Sequence, residues 1–202
     1  DSFGAKGSCV LLAGDKGSGK TAFLYRLSEA IANGSAFMGE LSTTPKKVLV
    51  WQADESRNNA HLKIKMMDLK GKIYFLFSDD EGGSRLDIEA LKNHIIREKI
   101  EVICIDSITG LLMGHGINIK DSEFCKPLYD LNNLASKLGV LIIISAHLTK
   151  EDRSEVNMND ILGAGTQGGA VSDVWGLWTD EHDDEIFFMK CKFFKYIKCY
   201  KK

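Results

Sequence analysis

Apolar residues along the chain follow two alternating patterns. Continuous runs rich in Val, Ile and Leu predict buried strands at residues 8–13, 47–53, 73–77, 101–105, 140–145 and 174–178. Apolar residues that recur at helical spacing predict helices at residues 20–33, 57–67, 87–99 and 127–138. Because strands alternate with helices, we expect an α/β fold built on a mostly parallel, twisted sheet flanked by helices.

The C-terminal segment from residue 185 onward has a different pattern. It contains no turn residue after Asp184. One alternate set of its positions is almost wholly apolar: Phe187, Met189, Cys191, Phe193, Ile197 and Cys199. This alternation predicts a long strand or a hairpin that extends the sheet.

Length and composition fit a single globular domain. The 202 residues are 44% apolar and 27% charged, enough to bury one ordinary core, so we assign residues 1–202 to one domain. The chain begins at Asp1 without a methionine, and we expect it to be a piece of a longer protein. It has no 18-residue apolar run and no charged-then-apolar leader, which favours a cytoplasmic protein without a membrane span.

Charge and cysteine content exclude some classes. The 26 basic and 28 acidic residues leave a net charge of −2, so only a local patch could favour nucleic acid. The five cysteines are odd in number and none forms a Cys-x-x-Cys pair, which argues against a disulfide framework or a zinc site.

A glycine-rich turn follows the first predicted strand. It fits the G-x-x-x-x-G-K-[ST] pattern of a phosphate-binding loop through Gly14, Asp15, Lys16, Gly17, Ser18, Gly19, Lys20 and Thr21. Glycines let successive backbone N–H groups face one point, and the helix that follows adds the positive end of its dipole. We therefore predict that this loop binds ATP, with Lys20 reaching the β- and γ-phosphates and the Thr21 hydroxyl binding Mg²⁺.

A second magnesium ligand is predicted at the end of "EVICIDS". Asp106 closes this apolar strand, where a carboxylate would lie beside the phosphate-binding loop. Residue 107 is serine, so the Asp-Glu pair common in many P-loop motors is absent. The carboxylate that activates water must then come from another strand end, and "VLVWQADES" offers Asp54 and Glu55.

Five segments in this order resemble the RecA-like ATPases, in particular the RepA and DnaB type of hexameric replicative helicase. They are the phosphate-binding loop, "QADES", "VICIDSITGLL", "LGVLIIISAHLTK" and "ILGAGTQGGAVSDVWGL". The resemblance spans nearly the whole chain. It implies a RecA-like P-loop fold, Mg²⁺-dependent ATP hydrolysis, and a homo-oligomer, in this family a ring or hexamer, that acts on single-stranded DNA in replication or recombination.

The resemblance also implies roles for individual residues. His147, with Thr149 nearby, would sense the γ-phosphate, and the acidic pair would supply the catalytic carboxylate. Asp54 stands where the family has glutamate, and Glu55 stands where it has aspartate. The aspartate is shorter by about 1.5 Å, so either Asp54 acts slowly or Glu55 has taken its place.

Hydrolysis in this family also needs a cationic finger from the neighbouring subunit. The matching positions here are Lys190 and Lys192, both on the strand face opposite the apolar set. They fit either a finger that acts across a subunit junction or a solvated strand face. Lysine lacks the planar fork of the arginine that is usual in the family.

The loops that would grip DNA are mainly acidic. Residues 110–124 and 149–169 contain Lys120, Lys150 and Arg153 against Asp121, Glu123, Glu151, Asp152, Glu155 and Asp160. Grooves that bind single strands are usually basic and aromatic. Two other classes therefore stay open: a RecA-fold ATPase that works as a nucleotide-controlled protein-binding switch without DNA, and a small-molecule kinase.

Overall fold

The protein was analysed through a computed structural model, which describes residues 4–38, 42–113, 125–147, 170–179, 186–191 and 194–200, the last two ranges and residue 179 by their backbone. Within these ranges one eight-stranded sheet forms the centre of the fold, in the order β3-β2-β4-β5-β1-β6-β7-β8. The strands are β1 Cys9–Gly14, β2 Val48–Gln52, β3 Ile73–Phe77, β4 Val102–Asp106, β5 Leu141–His147, β6 Asp173–Thr179, β7 Ile186–Cys191 and β8 Phe194–Tyr200.

Helices connect most of the parallel strands. They are α1 Lys20–Asn33, α2 Arg57–Met66, α3 Ile88–Glu98, α4 Ile108–Met113 and α5 Cys125–Leu138. Local chemistry fixes their ends: the Ser56 side chain accepts a hydrogen bond from the Asn59 N–H at the start of α2, and Asp87 accepts one from Ala90 at the start of α3. Among the described residues, no helix is both long and apolar enough to cross a bilayer.

The first six strands are parallel, and this brings their carboxyl ends to one edge. In the pairing register, Gly14 of β1 lies opposite His147 of β5, and Gln52 of β2 lies opposite Asp106 of β4. The four polar or glycine-containing strand ends therefore meet at the same edge of the sheet, where open α/β sheets bind their ligands.

Both faces of the central strands β1, β2, β4 and β5 are buried, as the continuous apolar runs predict. Along β1, Leu11 and Ala13 join the cluster that includes α3 and α5, while Val10 and Leu12 join the one that includes α1. The side chains alternate between two cores because successive residues of a strand point to opposite faces. Packing on both faces fixes the central strands, and with them the positions of the polar residues at the strand ends.

The predicted fold class is confirmed, with two main differences in detail. α4 was not predicted, because "SITGLLM" is too short to show helical spacing. α5 begins at Cys125, two residues before the predicted start, and Gly139 (φ 65°) follows its end as expected. The C-terminal segment forms two antiparallel strands, β7 and β8, so the hairpin alternative holds in its backbone.

Candidate nucleotide site

The loop between β1 and α1 has the backbone of a phosphate cradle. Gly17 (φ 89°) and Gly19 (φ 86°) take left-handed conformations that other residues rarely adopt. At Gly14 a side chain has no room, since a Cβ would lie 2.5 Å from the Leu177 carbonyl oxygen. The buried Ser18 hydroxyl finds no hydrogen-bond partner within the described part of the chain. A loop with this shape and a spare buried hydroxyl at the start of a helix fits an anion.

Lys20, the first residue of α1, reaches back across this loop. Its Nζ donates hydrogen bonds to the carbonyl oxygens of Gly14 at 2.8 Å and Asp15 at 2.7 Å. Burial lowers the pKa of Lys20 from 10.5 to about 8, although Asp106, Asp15 and Asp54 act in the opposite direction. An anion at the loop would restore a full counter-charge to this ammonium group.

The lowered pKa of Lys20 predicts that nucleotide affinity depends on pH. Below pH 8 the free protein already carries the ammonium group, so affinity for ADP is expected to change little between pH 7 and 8. Above pH 8 binding must be accompanied by proton uptake, because the phosphates favour the charged form, and affinity should fall by up to about tenfold per pH unit. Calorimetric titration with ADP from pH 7 to 9.5 measures this slope.

Lys20→Arg is the control for the pH experiment. The guanidinium group stays charged throughout this range, so the variant is expected to bind more weakly but with a flat pH profile. If the arginine variant loses affinity with the same slope as the wild type, Lys20 is not the titrating group.

Asp106 lies 4% exposed at the end of β4 and is held by three side-chain donors. Its Oδ1 accepts a hydrogen bond from Ser145 at 2.5 Å. Its Oδ2 accepts one from Thr21 at 2.7 Å and one from Gln52 at 3.0 Å. The Thr21 hydroxyl and the Asp106 carboxylate are therefore in direct contact next to the loop. This pair of hard oxygen ligands fits Mg²⁺, which is usually held by one or two protein oxygens together with substrate phosphates.

Asp54 follows β2 and faces the same edge. Its Oδ2 accepts a hydrogen bond from the Ser107 hydroxyl at 2.6 Å and lies 3.6 Å from His147 Nε2. Burial alone would raise the pKa of Asp54, but the interactions with His147 and Ser107 outweigh it and the pKa is lowered. The side chain is thus a carboxylate at neutral pH. Gly110 of α4 packs against it, and a Cβ there would collide with Asp54 Oδ1.

Glu55 has a different environment from Asp54, although both lie in the bend that follows β2. Its Oε1 forms an ion pair with Lys63 Nζ of α2 at 2.5 Å. The two members of the acidic pair therefore have different neighbours: Asp54 contacts Ser107 and His147, and Glu55 contacts a helix.

His147 ends β5 between Asp54 and the glycine-rich loop. Its register partner is Gly14, and its buried Nδ1 has no hydrogen-bond partner among the described residues. An imidazole with one nitrogen toward a carboxylate and the other unpaired beside an anion cradle suits the predicted phosphate-sensing role. Thr149 lies outside the described residues.

The remaining predicted residues lie away from this centre or outside the described ranges. Lys190 is in β7, where its backbone pairs with Gly176 of β6. Lys192 and residues 114–124 and 149–169, which carry Lys120, Lys150 and Arg153, fall outside the described residues, whereas residues 110–113 of the first predicted loop belong to α4. Their proposed contacts with a neighbouring subunit or with DNA stay predictions.

Sequence reasoning missed the polar residues that hold these groups in place. Ser145, Ser107 and Gln52 are fully buried and each donates to Asp106 or Asp54. Two of these residues could have been noticed in the sequence, because each is a polar residue in a mainly apolar strand. Gln52 ends "VLVWQ" and Ser145 lies within "LIIISAH". A buried polar residue near the carboxyl end of a parallel strand needs a partner at that edge.

Comparison with known proteins agrees with the geometry. The parallel sheet, with a phosphate-binding loop after β1 and Asp106 at the end of β4, has the RecA-like P-loop fold. The family model described as "AAA domain" matches residues 3–153, which is most of the chain. The chain belongs to this family.

The curated relatives share about a quarter of their residues with this chain over the aligned region. DNA repair protein RadA of Listeria monocytogenes is 26% identical over 147 residues, and that of Aquifex aeolicus is 25% identical over 148. Each alignment covers 72% of this chain and 29% or 30% of the relative, so the chain spans less than a third of these proteins.

Two solved structures share the fold. A KaiC-like protein from Pyrococcus horikoshii superposes with a TM-score of 0.61 at 16% identity, over 93% of this chain and 79% of that one. A DnaB-like replicative helicase, whose structure was described together with its interactions with primase, superposes with a TM-score of 0.68 at 13% identity. The match covers 92% of this chain and 52% of the helicase chain.

Proposed function

We propose that this protein binds ATP with Mg²⁺, hydrolyses it, and works as an oligomer on single-stranded DNA. The observation that carries the proposal is the contact between Thr21 Oγ1 and Asp106 Oδ2 at 2.7 Å, beside a cradle that ends in Lys20. This arrangement offers a cation for phosphates, two ligands for a metal and, in Asp54, a carboxylate for water.

Each residue would have a separate task. Lys20 would leave its carbonyl partners to pair with the phosphates, where a charge-assisted hydrogen bond is stronger than a neutral one. Thr21 and Asp106 would hold Mg²⁺, which when bound neutralises charge on the phosphate oxygens. Asp54 would orient or deprotonate the attacking water, and His147 would respond to the γ-phosphate.

The DNA and oligomer parts rest on similarity. Relatives named as a DNA repair protein and as a DnaB-like replicative helicase support work on DNA. Family resemblance supports an oligomer in which Lys190 or Lys192 serves the site of the next subunit. The acidic loops favour weak DNA binding, and they are also the specific observation that supports a nucleotide-controlled protein switch as the second candidate.

The test is the rate of phosphate release with and without single-stranded DNA at low salt, together with the mass of the assembly on a non-hydrolysable ATP analogue. We expect Mg²⁺-dependent release without any added acceptor, a larger assembly with the analogue, and a rate raised by DNA. The DNA effect should fade with salt with a slope equivalent to a few phosphates per subunit.

Other outcomes separate the alternatives. If an assembled protein hydrolyses ATP at a rate indifferent to DNA, the switch becomes the better account. If phosphate transfer requires an added small-molecule acceptor, the protein is a kinase.

A further inference from the structure

Gln52 is fully buried at the end of β2, and all the hydrogen-bonding groups of its side chain are used. Its Nε2 donates to Asp106 Oδ2 at 3.0 Å and to the Tyr25 hydroxyl at 3.1 Å. Its Oε1 accepts the main-chain N–H of Asp54 at 3.1 Å. One side chain therefore touches β4, α1 and the start of the acidic segment.

The orientation of the amide is fixed by its neighbours. The Asp106 carboxylate can only accept, and the Asp54 N–H can only donate, so the nitrogen and oxygen of Gln52 cannot be exchanged. A carboxylate at position 52 would lack the donor, and an apolar side chain would lack both groups. A primary amide at this length suits the position because it offers a donor and an acceptor on one rigid plane.

Gln52 joins the two acidic residues of the site, through the carboxylate of Asp106 and the main-chain N–H of Asp54. On one side, Gln52 and Thr21 share Asp106 Oδ2, so Gln52 fixes the rotation of the carboxylate that would bind the metal. On the other side, the Asp54 N–H is shared between Gln52 Oε1 and the Asp106 carbonyl oxygen at 3.2 Å. The turn that carries Asp54 is thereby tied to the metal-binding strand at side-chain and main-chain level.

We propose that Gln52 is a positioning residue that sets Asp106 for Mg²⁺ and Asp54 for water at the same time. It acts through the carboxylate of Asp106 and through the main chain that carries Asp54. The inference rests on the proposed function, in which Asp106 holds the metal. Removal of a residue that hydrogen-bonds to a metal ligand typically lowers metal affinity or activity by about 10- to 100-fold.

The test is the Mg²⁺ midpoint for tight binding of a fluorescent ADP analogue, measured for the wild type and Gln52→Met. Methionine fills a similar volume without hydrogen-bonding the carboxylates. We expect the midpoint to rise by about tenfold or more and kcat to fall by a similar factor, with binding of the analogue in EDTA changed less than about twofold. Ser28→Ala is the matched control, because it removes a different buried hydrogen bond, to Cys104 Sγ, and should leave the midpoint unchanged.

A double-mutant cycle separates positioning from a general structural effect. In an Asp106→Asn background the metal carboxylate is already lost, so adding Gln52→Met should move the Mg²⁺ midpoint less than about twofold. If the two changes add in full, Gln52 does not act through Asp106 and the proposal fails. If Gln52→Met does not fold, Gln52→Asn decides, because its amide is shorter by about one C–C bond and cannot span both partners.

Failure here is distinct from failure of the proposed function. A wild type that binds Mg²⁺ and nucleotide without hydrolysing ATP would end the proposed function, while the midpoint would still decide the role of Gln52. A wild type that hydrolyses ATP, with a Gln52→Met variant of equal midpoint and equal kcat, would overturn this inference alone. A wild type that binds no nucleotide would overturn both.

Discussion

Lys20→Ala is expected to lower nucleotide affinity by at least about tenfold and to reduce ATP turnover to background. A hydrogen bond to a charged group contributes about 1.5 to 3 kcal/mol, so losing the ammonium from the phosphates costs tenfold or more in binding. The free protein should tolerate the change, because the lost bonds to Gly14 and Asp15 are offset by relief from burying a charge. Calorimetric titration with ADP and a phosphate-release assay measure the two effects.

Lys137→Ala is the matched control for this variant. Lys137 is an exposed lysine in the last turn of α5, at the opposite edge of the sheet from the loop, and its loss changes the net charge by the same amount. It should alter neither affinity nor turnover. Undiminished turnover in Lys20→Ala, with the fold verified by circular dichroism, would end the phosphate-binding interpretation of the loop.

Much of the fold follows from local pattern. Strands covered on both faces must be apolar at every position, and this made β1, β2, β4 and β5 visible as continuous runs. Parallel strands share an edge, so Gly14 and Asp106 were expected together as soon as they were placed at strand ends, and the family resemblance added His147. The observed register agrees with this expectation, because Gly14 lies opposite His147 and Gln52 lies opposite Asp106.

The supporting residues of the site could not be predicted in the same way. Ser107 and Asp54 are 53 positions apart in sequence, and so are held together only by the β2–β4 register. α4 is six residues long, and its Gly110 matters because Asp54 lies against it, a contact that no periodicity reveals. Likewise, sequence alone left Asp54 and Glu55 as equal candidates, since both follow the same strand.

The geometry now separates the two carboxylates. Asp54 accepts a hydrogen bond from the Ser107 hydroxyl and lies near His147. Both contacts are at the same edge of the sheet as Thr21 and Asp106. Glu55 pairs with Lys63 of α2, a helix that contributes none of the other residues of the site. The Ser107 hydroxyl donates to Asp54, and Gly110 leaves room for its carboxylate beside the end of β4. We therefore propose Asp54 as the residue that activates water.

Asp54→Asn is expected to lower kcat by at least about a hundredfold, the lower range for a positioned acid or base, while ADP affinity changes less than about threefold. The amide is nearly isosteric and its oxygen can still accept from Ser107, so the loss isolates the negative charge and the basicity. Glu55→Gln is the matched variant: it removes the ion pair with the half-exposed Lys63, leaves the contacts of Asp54 in place, and should leave kcat within about threefold. Single-turnover phosphate release at saturating Mg²⁺ and ATP measures both. A large loss in Glu55→Gln and none in Asp54→Asn would instead assign the catalytic carboxylate to Glu55. The segment after β2 would then have to rotate when ATP binds, so that Glu55 faces the site.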